Sequence, residues 1–477
     1  MNRRVVFFLG VLVVTAVTMA DEPTAAKLLA EGDRLADKAE YTEALLRYKG
    51  AYEKILPGLR GLEFKNPVAP QFMERKDLRE HMAKLFREEM SEEDIVLADA
   101  SLKAFGFVPA NFKTEELVLR LYAEEVAGFY DPKRKEIFLI KETEKPQKPG
   151  LLARLLGATG GFDKEEQKAT LAHEMAHALA DQHFDLEKMQ QVVEDDDDQS
   201  LALQALIEGE ATLVMMIDMQ RTEGDDGKEM LKASPEAMDF SIGLMKGFLP
   251  FASGKTFRNA PPIFQETMLF GYLKGLVFLL HLTNDDEWNA VNRAFRSPPL
   301  STEQILHPEK YLRDVDAPVA IDLPKFGELA ASGWKELGQN VLGELQISVL
   351  LRRHWGKQSA AGWDGDRFAV FDGPDERVGM VWFTTWDSER DASEFAGAYA
   401  QYVRSRLGLG DATKDAAKGN EPPKVADDVR LDRDGAVYRI ARRGTDVIAI
   451  EGFPAKTSDK LFQSALKSQK RPKTIGN

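Results

Sequence analysis

The chain has no cysteine. That excludes disulfides, thiolate metal ligands, a catalytic thiol and a lipid-modified N-terminal cysteine, so core packing alone must hold the folded protein together. A basic excess is missing too: 63 Lys and Arg face 78 Asp and Glu, a formal charge of -15. No basic run outweighs that balance, so no nucleic-acid partner is expected. Histidine is scarce, with seven in 477 residues. Beyond the first twenty residues no stretch reads as a membrane span, so no integral span is expected there. What is present, 43% hydrophobic and 30% charged residues, is ordinary globular composition with material for two or three domains.

Residues 1–20 stand apart. "MNRR" is a short basic start, and "VVFFLGVLVVTAVTMA" is an apolar run of signal-peptide length. Thr18 and Ala20 sit where a small-x-small cleavage site would be. The expectation is a periplasmic or extracellular protein, with an uncleaved N-terminal anchor as the alternative.

The fold class expected is α+β, mainly helical. Residues 21–62 predict a helical hairpin that resembles one tetratricopeptide unit and ends at Pro57-Gly58; a single unit cannot bury its own face, so packing on the next domain is expected. Residues 63–320 read as a mainly helical domain. Within it "VAGFYDPKRKEIFLI" predicts a hairpin turning at Asp131-Pro132, with "EIFLI" as a candidate edge strand. Asp163 and Glu166 suggest a capped helix start, and "EDDDDQ" suits the N-terminus of a helix from about Ser200 to Arg221. Residues 338–477 predict a separate α+β domain with four strands. It opens on a helix, "ELGQNVLGELQISVLLRRHW", and Trp382, Trp386 and Phe395 are expected in its core. A polar stretch, "GLGDATKDAAKGNEPPKVADD", reads as a loop.

The chemistry concentrates in "ATLAHEMAHALADQHFDL". His173, Glu174 and His177 form H-E-x-x-H. On a helix positions i and i+4 differ by ~40°, so both imidazoles leave one face and can hold one zinc, with Glu174 beside it as a proton acceptor. Seven histidines and 78 acids would produce this pattern by chance about 0.02 times in a chain of this length. A catalytic zinc needs a third protein ligand from another element. His183 lies ~240° around the helix from His177 and faces away. Asp181, one turn past His177, is placed to orient an imidazole. Glu208 and Glu210 in "ALIEGEATL" are ~200° apart, so only one can reach the metal. Glu208 shares its side with Gln204, Ala205, Ala211 and Thr212, mostly small residues that let helices approach, whereas Glu210 sits among leucines and reads as packing. Glu208 is therefore the expected ligand, with Thr212 one turn beyond in support. Met215, Met216 and Met219 read as core. His307, before Pro308, is either a helix end or a second donor to the cleft.

These residues resemble the gluzincin metallopeptidases, the thermolysin and aminopeptidase N group. There the third ligand is the glutamate of an E-G-x-A on a downstream helix, which matches Glu208-Gly209-Glu210-Ala211. Tyr272-Leu273-Lys274-Gly275 matches the Y-x-K-G of the aminopeptidase N-like family, where the tyrosine stabilises the oxyanion and the motif opens a helix. The resemblance covers roughly residues 120–290. It implies a zincin-like metallopeptidase domain, one zinc per chain, Tyr272 as a catalytic partner of Glu174, and a peptide or protein substrate. Two departures stand out: thirty residues separate His177 from Glu208, and the aminopeptidase "GAMEN" motif is absent. The competing expectation is a non-catalytic envelope binding protein on the same scaffold.

Overall fold

The computed structural model describes residues 23–125, 128–141, 164–221, 225–246, 255–313, 315–374, 377–410, 422 and 424–476. The expected signal peptide, Asp163 and most of the polar stretch after Gly410 lie outside them. The architecture is α+β and mainly helical, as composition and periodicity indicated.

Helices α1 (Ala25–Ala36) and α2 (Tyr41–Arg60) form the expected hairpin. Thr24 caps α1 by accepting from the Lys27 N–H, and Tyr48 bridges back to Asp33 at 2.7 Å. Pro57 does not end α2; the helix continues to Arg60 and stops at Gly61, which takes the left-handed conformation. The hairpin is packed into the rest of the molecule: Tyr52 donates to Asp218 and the Trp288 indole donates to the Leu59 carbonyl.

Strand β1 (Ala69–Glu74) leads into α3 (Arg75–Glu89), α4 (Glu92–Ala104), with a Ser91–Asp94 capping box, and α5 (Thr114–Glu125). Strands β2 (Gly128–Asp131) and β3 (Glu136–Lys141) make the expected hairpin, with Phe129 opposite Phe138. The strand order is β1-β3-β2, so "EIFLI" is the central strand and not an edge. Its other neighbour, β1, is parallel and distant in sequence, and Pro70 sits where an edge strand tolerates it.

Next come α6 (Lys164–Phe184), α7 (Leu186–Val192) and α8 (Asp197–Gln220), the last capped by Asp196. Then follow α9 (Pro235–Lys246) and α10 (Pro262–Arg296). Contrary to expectation, two later helices, α8 and α10, are long and apolar enough to span a membrane. In the fold 72% and 56% of their apolar windows are buried. They pack on each other in the largest core, together with α6 and α2.

Strand β4 (Val319–Asp322) precedes a six-stranded antiparallel sheet, ordered β5-β6-β7-β10-β9-β8. The strands are β5 (Lys335–Asn340), β6 (Trp363–Asp372), β7 (Val378–Trp386), β8 (Asp428–Arg433), β9 (Ala436–Arg443) and β10 (Asp446–Phe453). "ELGQN" is therefore part of strand β5; the helix that follows, α11 (Gly343–Leu350), starts seven residues after Glu336. The four expected strands gain β5 and β8. Successive residues of β6, β7 and β10 enter opposite cores, which accounts for their unbroken apolar character. Phe368, Trp382 and Val447 face α12 (Glu389–Arg406), and Trp386 and Phe395 join them as expected. Phe371, Val381 and Ile448 face α13 (Ala455–Ala465). Strand β11 (Gln469–Pro472) returns to pair with β4. Helix α4 also enters this unit, where Leu97, Ala104 and Phe105 pack into the α12 side of the sheet.

Candidate metal centre

Fourteen of the 21 residues of α6 are buried, among them Ala169, Ala172, Ala176 and Ala180. Those small side chains let β2 and α8 lie against the helix. The two imidazoles of α6 leave one face, with His173 Nε2 3.1 Å from His177 Nε2. Glu208 arrives from α8, its Oε2 3.2 Å from His173 Nε2 and 3.6 Å from His177 Nε2. Three ligand atoms each about 2.1 Å from one tetrahedral ion would lie about 3.4 Å apart. The observed separations therefore fit a single zinc, and two nitrogens with one oxygen are the donor set of a site that keeps one position open.

The glutamates of α8 divide as their angular separation requires. Glu208 joins the histidines. Glu210 is fully buried on the other side, but it is not mere packing: its carboxylate pairs with the Arg60 guanidinium of α2 at 2.5 Å. Arg60 also donates to Asn292 and lies over the Trp288 ring.

Helices α8 and α10 meet through glycine. A Cβ on Gly209 would lie 2.4 Å from the Gly275 carbonyl carbon, and one on Gly275 would lie 2.2 Å from the Ala205 oxygen. The glycines of E-G-E-A and Y-L-K-G are thus pressed together, and Gly271 faces the Glu208 side chain. This contact brings Tyr272 to the centre, its ring 5.9 Å from that of His173. Tyr272 lies ten residues inside α10 rather than at a helix start. The Glu208 charge, with burial, holds its phenol well above the ordinary range, so it remains a donor.

Glu174 is buried beside the imidazoles, and its Oε2 accepts the Tyr130 backbone N–H at 2.8 Å. Burial raises its carboxyl pKa, partly offset by the two imidazoles. Asp181 does not orient an imidazole. It accepts from the Tyr130 hydroxyl at 2.6 Å, from the Leu186 N–H and from Lys135. Asp181 thus anchors strand β2, and Tyr130, missed in the sequence, links Asp181 to Glu174. Thr212 is buried one turn past Glu208; its hydroxyl and the Nδ1 atoms of both histidines have no hydrogen-bond partner among the described residues. Burial lowers the His177 pKa, but the Glu208 carboxylate outweighs it and the group is raised to about 9. Burial also opposes the charge on Glu208, yet the histidines hold it well below the carboxylate range.

A second tyrosine was also missed. Tyr122 of α5 has its pKa raised by burial, then by the charges of Glu89 and Glu208, which places it in the field of the centre. His183 turns away as expected and meets the Glu63 carbonyl at 2.7 Å. His307 is committed to Glu344 of α11 at 3.0 Å. Met215 is core, Met216 packs against it, and Met219 is half exposed. A second group of acids, Glu303, Asp316 and Asp387, could also be read as a metal cluster. Lys310 fills it, pairing with the three at 2.6, 2.8 and 2.8 Å.

Residues 330–461, from just before β5 into α13, match a family described as a domain of unknown function (DUF8575). That match leaves out the centre. No curated protein and no solved structure matches the chain.

Proposed function

We propose that this protein is an exported zinc peptidase of the gluzincin kind. Residues 63–320 are read as its zincin-like domain and the α1–α2 hairpin as a TPR-like unit. The observation that carries this is the convergence of His173, His177 and Glu208 within 3.6 Å of one another beside a buried glutamate and a tyrosine. His173, His177 and Glu208 would hold the metal, which when bound supplies Lewis acidity toward water and a carbonyl oxygen. Glu174 takes a proton from the attacking water and passes it to the leaving amine. The Tyr130 N–H fixes the Glu174 carboxylate for that task. The Tyr272 hydroxyl donates to the developing oxyanion. Among the described residues strand β2 is an edge strand beside Glu174, where an extended peptide would add. The basic start and apolar run of residues 1–20 support export.

The test is metal analysis of the purified full chain with a chelator-sensitive assay on a mixed peptide library. One zinc per chain is expected, with turnover lost on chelation and restored by zinc. Glu174→Gln should retain zinc and lose nearly all turnover. A metal-free wild type, or a fully active Glu174→Gln, overturns the peptidase reading.

A further inference from the structure

A cavity of about 540 Å³ opens between α3, α4, α5, α8, α10 and the β6 side of the sheet. Its composition is one-sided. Glu89, Glu194, Asp195 and Asp197 lie on it, and among the described residues no lysine, arginine or histidine does. Among the described residues no cation pairs with these four carboxylates; Asp94, also in the lining, is committed to the Ser91 cap. The acids stand on an exposed rim. The floor is apolar, with Phe105 and Phe368 buried and Phe107 and Phe264 half-buried. The Ser101 hydroxyl on the wall is buried without a hydrogen-bond partner among the described residues.

Helix α8 joins the cavity rim to the metal centre. Asp197 precedes Glu208 by eleven residues on α8, on the same face to about 20° and about 16 Å along the axis. Tyr122 of α5 feels the charges of both Glu89, on the cavity rim, and Glu208, at the centre. An extended peptide covers that span in about five residues.

We propose that this cavity is a substrate subsite that takes a lysine or arginine side chain of a peptide lying in the cleft. This rests on the peptidase reading and names its substrate class. An aromatic floor under an acidic rim suits a side chain with an apolar stem and a cationic tip: the stem covers the rings and the tip reaches the carboxylates. An acidic side chain would meet four like charges there. The residue read lies within about five positions of the scissile bond.

The test reads binding rather than turnover, on the full chain carrying Glu174→Gln. The probes are two fluorescein-labelled hexapeptides, (Leu-Lys)3 and (Leu-Glu)3, followed by anisotropy. (Leu-Lys)3 should bind about tenfold or more tighter, as expected of several partly exposed ion pairs acting together. Adding Glu89→Gln, Glu194→Gln and Asp197→Asn should bring the two probes to within about twofold. A control that removes the same charge elsewhere, Glu43→Gln with Asp285→Asn and Asp432→Asn, should keep the preference. Should the cavity triple variant melt early, Glu89→Gln and Asp197→Asn are read singly, each costing (Leu-Lys)3 about threefold. Equal binding of the two probes overturns the subsite. So does a preference that survives the cavity substitutions or falls equally in the control, since it then reflects the net charge of the whole chain. A chain that hydrolyses peptides yet shows no cavity-dependent preference loses the subsite alone. One that shows the preference and never hydrolyses loses the peptidase reading and keeps the cavity only as a binding site for basic side chains.

Discussion

Glu208 and Glu210 are two residues apart and do unrelated work. Glu208→Ala leaves two imidazoles to hold the metal, and zinc titration of the purified variant should show binding weakened by orders of magnitude. Glu210→Ala strands the Arg60 guanidinium, which is fully buried. Breaking a buried pair from one side costs about 3–5 kcal/mol, so the variant should melt far below wild type while keeping its zinc affinity. Restoring an apolar pair with Arg60→Met and Glu210→Leu should recover much of that loss. Tyr272→Phe should lower kcat by about 100-fold or more with KM little changed, because the hydroxyl acts on the transition state. If it turns over normally, Tyr122→Phe is the next variant to assay, since His307 is held by Glu344. The metal-free centre also carries a pH signature. His177 is raised from 6.5 to about 9 in the folded chain. A group raised on folding stabilises fully below its unfolded value and loses that contribution as pH rises through the folded one. Metal-free protein should therefore lose stability between pH 6.5 and 9, while zinc affinity climbs because binding must expel that proton. The helical angles that separated Glu208 from Glu210 and turned His183 away could be read from the sequence. The partners of Glu210, Asp181 and His307 could not, because Arg60, Tyr130 and Glu344 come from elements far along the chain.

At the scale of elements, the contact between α8 and α10 sets where Glu208 and Tyr272 meet. Gly275→Ala places a methyl 2.2 Å from the Ala205 oxygen, backbone that cannot step aside. The helices must part, so both melting temperature and zinc affinity should fall. Gly243→Ala in α9 is the control: a Cβ there meets nothing within 4 Å among the described residues, and the change should stabilise slightly, by up to about 1 kcal/mol. A Gly275→Ala chain with unaltered zinc binding would mean the centre tolerates the separation. The sequence showed these helices by their period, and showed hairpins whose strands adjoin, such as β9 and β10. It hid strands paired over distance. β1 carries Pro70 and its partner lies in β3, so neither local pattern nor a turn announces it. β5 is polar, with Glu336, Gln339 and Asn340, as its edge position allows. β8 alternates charge along the opposite edge and buries only Leu431. The centrality of β3 follows from β1, so misreading one strand misassigned the edge on which a peptide could add.

Across the whole molecule the sheet unit and the helical unit are interlocked, which domain boundaries drawn along the sequence concealed. Helix α4 lends Leu97 and Phe105 to the sheet core, and Arg406 of α12 donates back to the Ala104 carbonyl at 2.7 Å. The other end of the chain grips α8. Lys473, just past β11, is buried with its ammonium 2.9 Å from Asp196 and 3.6 Å from Asp198, at the cap and first turn of α8. The Gly476 N–H donates to Gln199 in the same first turn. The helix that carries Glu208 is thus fastened by residues more than 250 positions away in sequence. One cooperative transition is expected on heating, seen alike by tryptophan fluorescence, which reports mainly the sheet unit, and by helical circular dichroism. Lys473→Met tests the coupling. It keeps the stem and removes the ammonium, leaving Asp196 and Asp198 buried without their cation, so stability should fall by about 3–5 kcal/mol. Because the first turn of α8 is then free to shift, zinc should bind more weakly although every metal ligand is intact. A variant in which Asp196 and Asp198 are also made Asn, removing the stranded charges, should regain stability but not the full zinc affinity. If Lys473→Met melts early and still binds zinc as wild type, the tail stabilises α8 without positioning Glu208, and the centre is set by the contact of α8 with α6 and α10 alone.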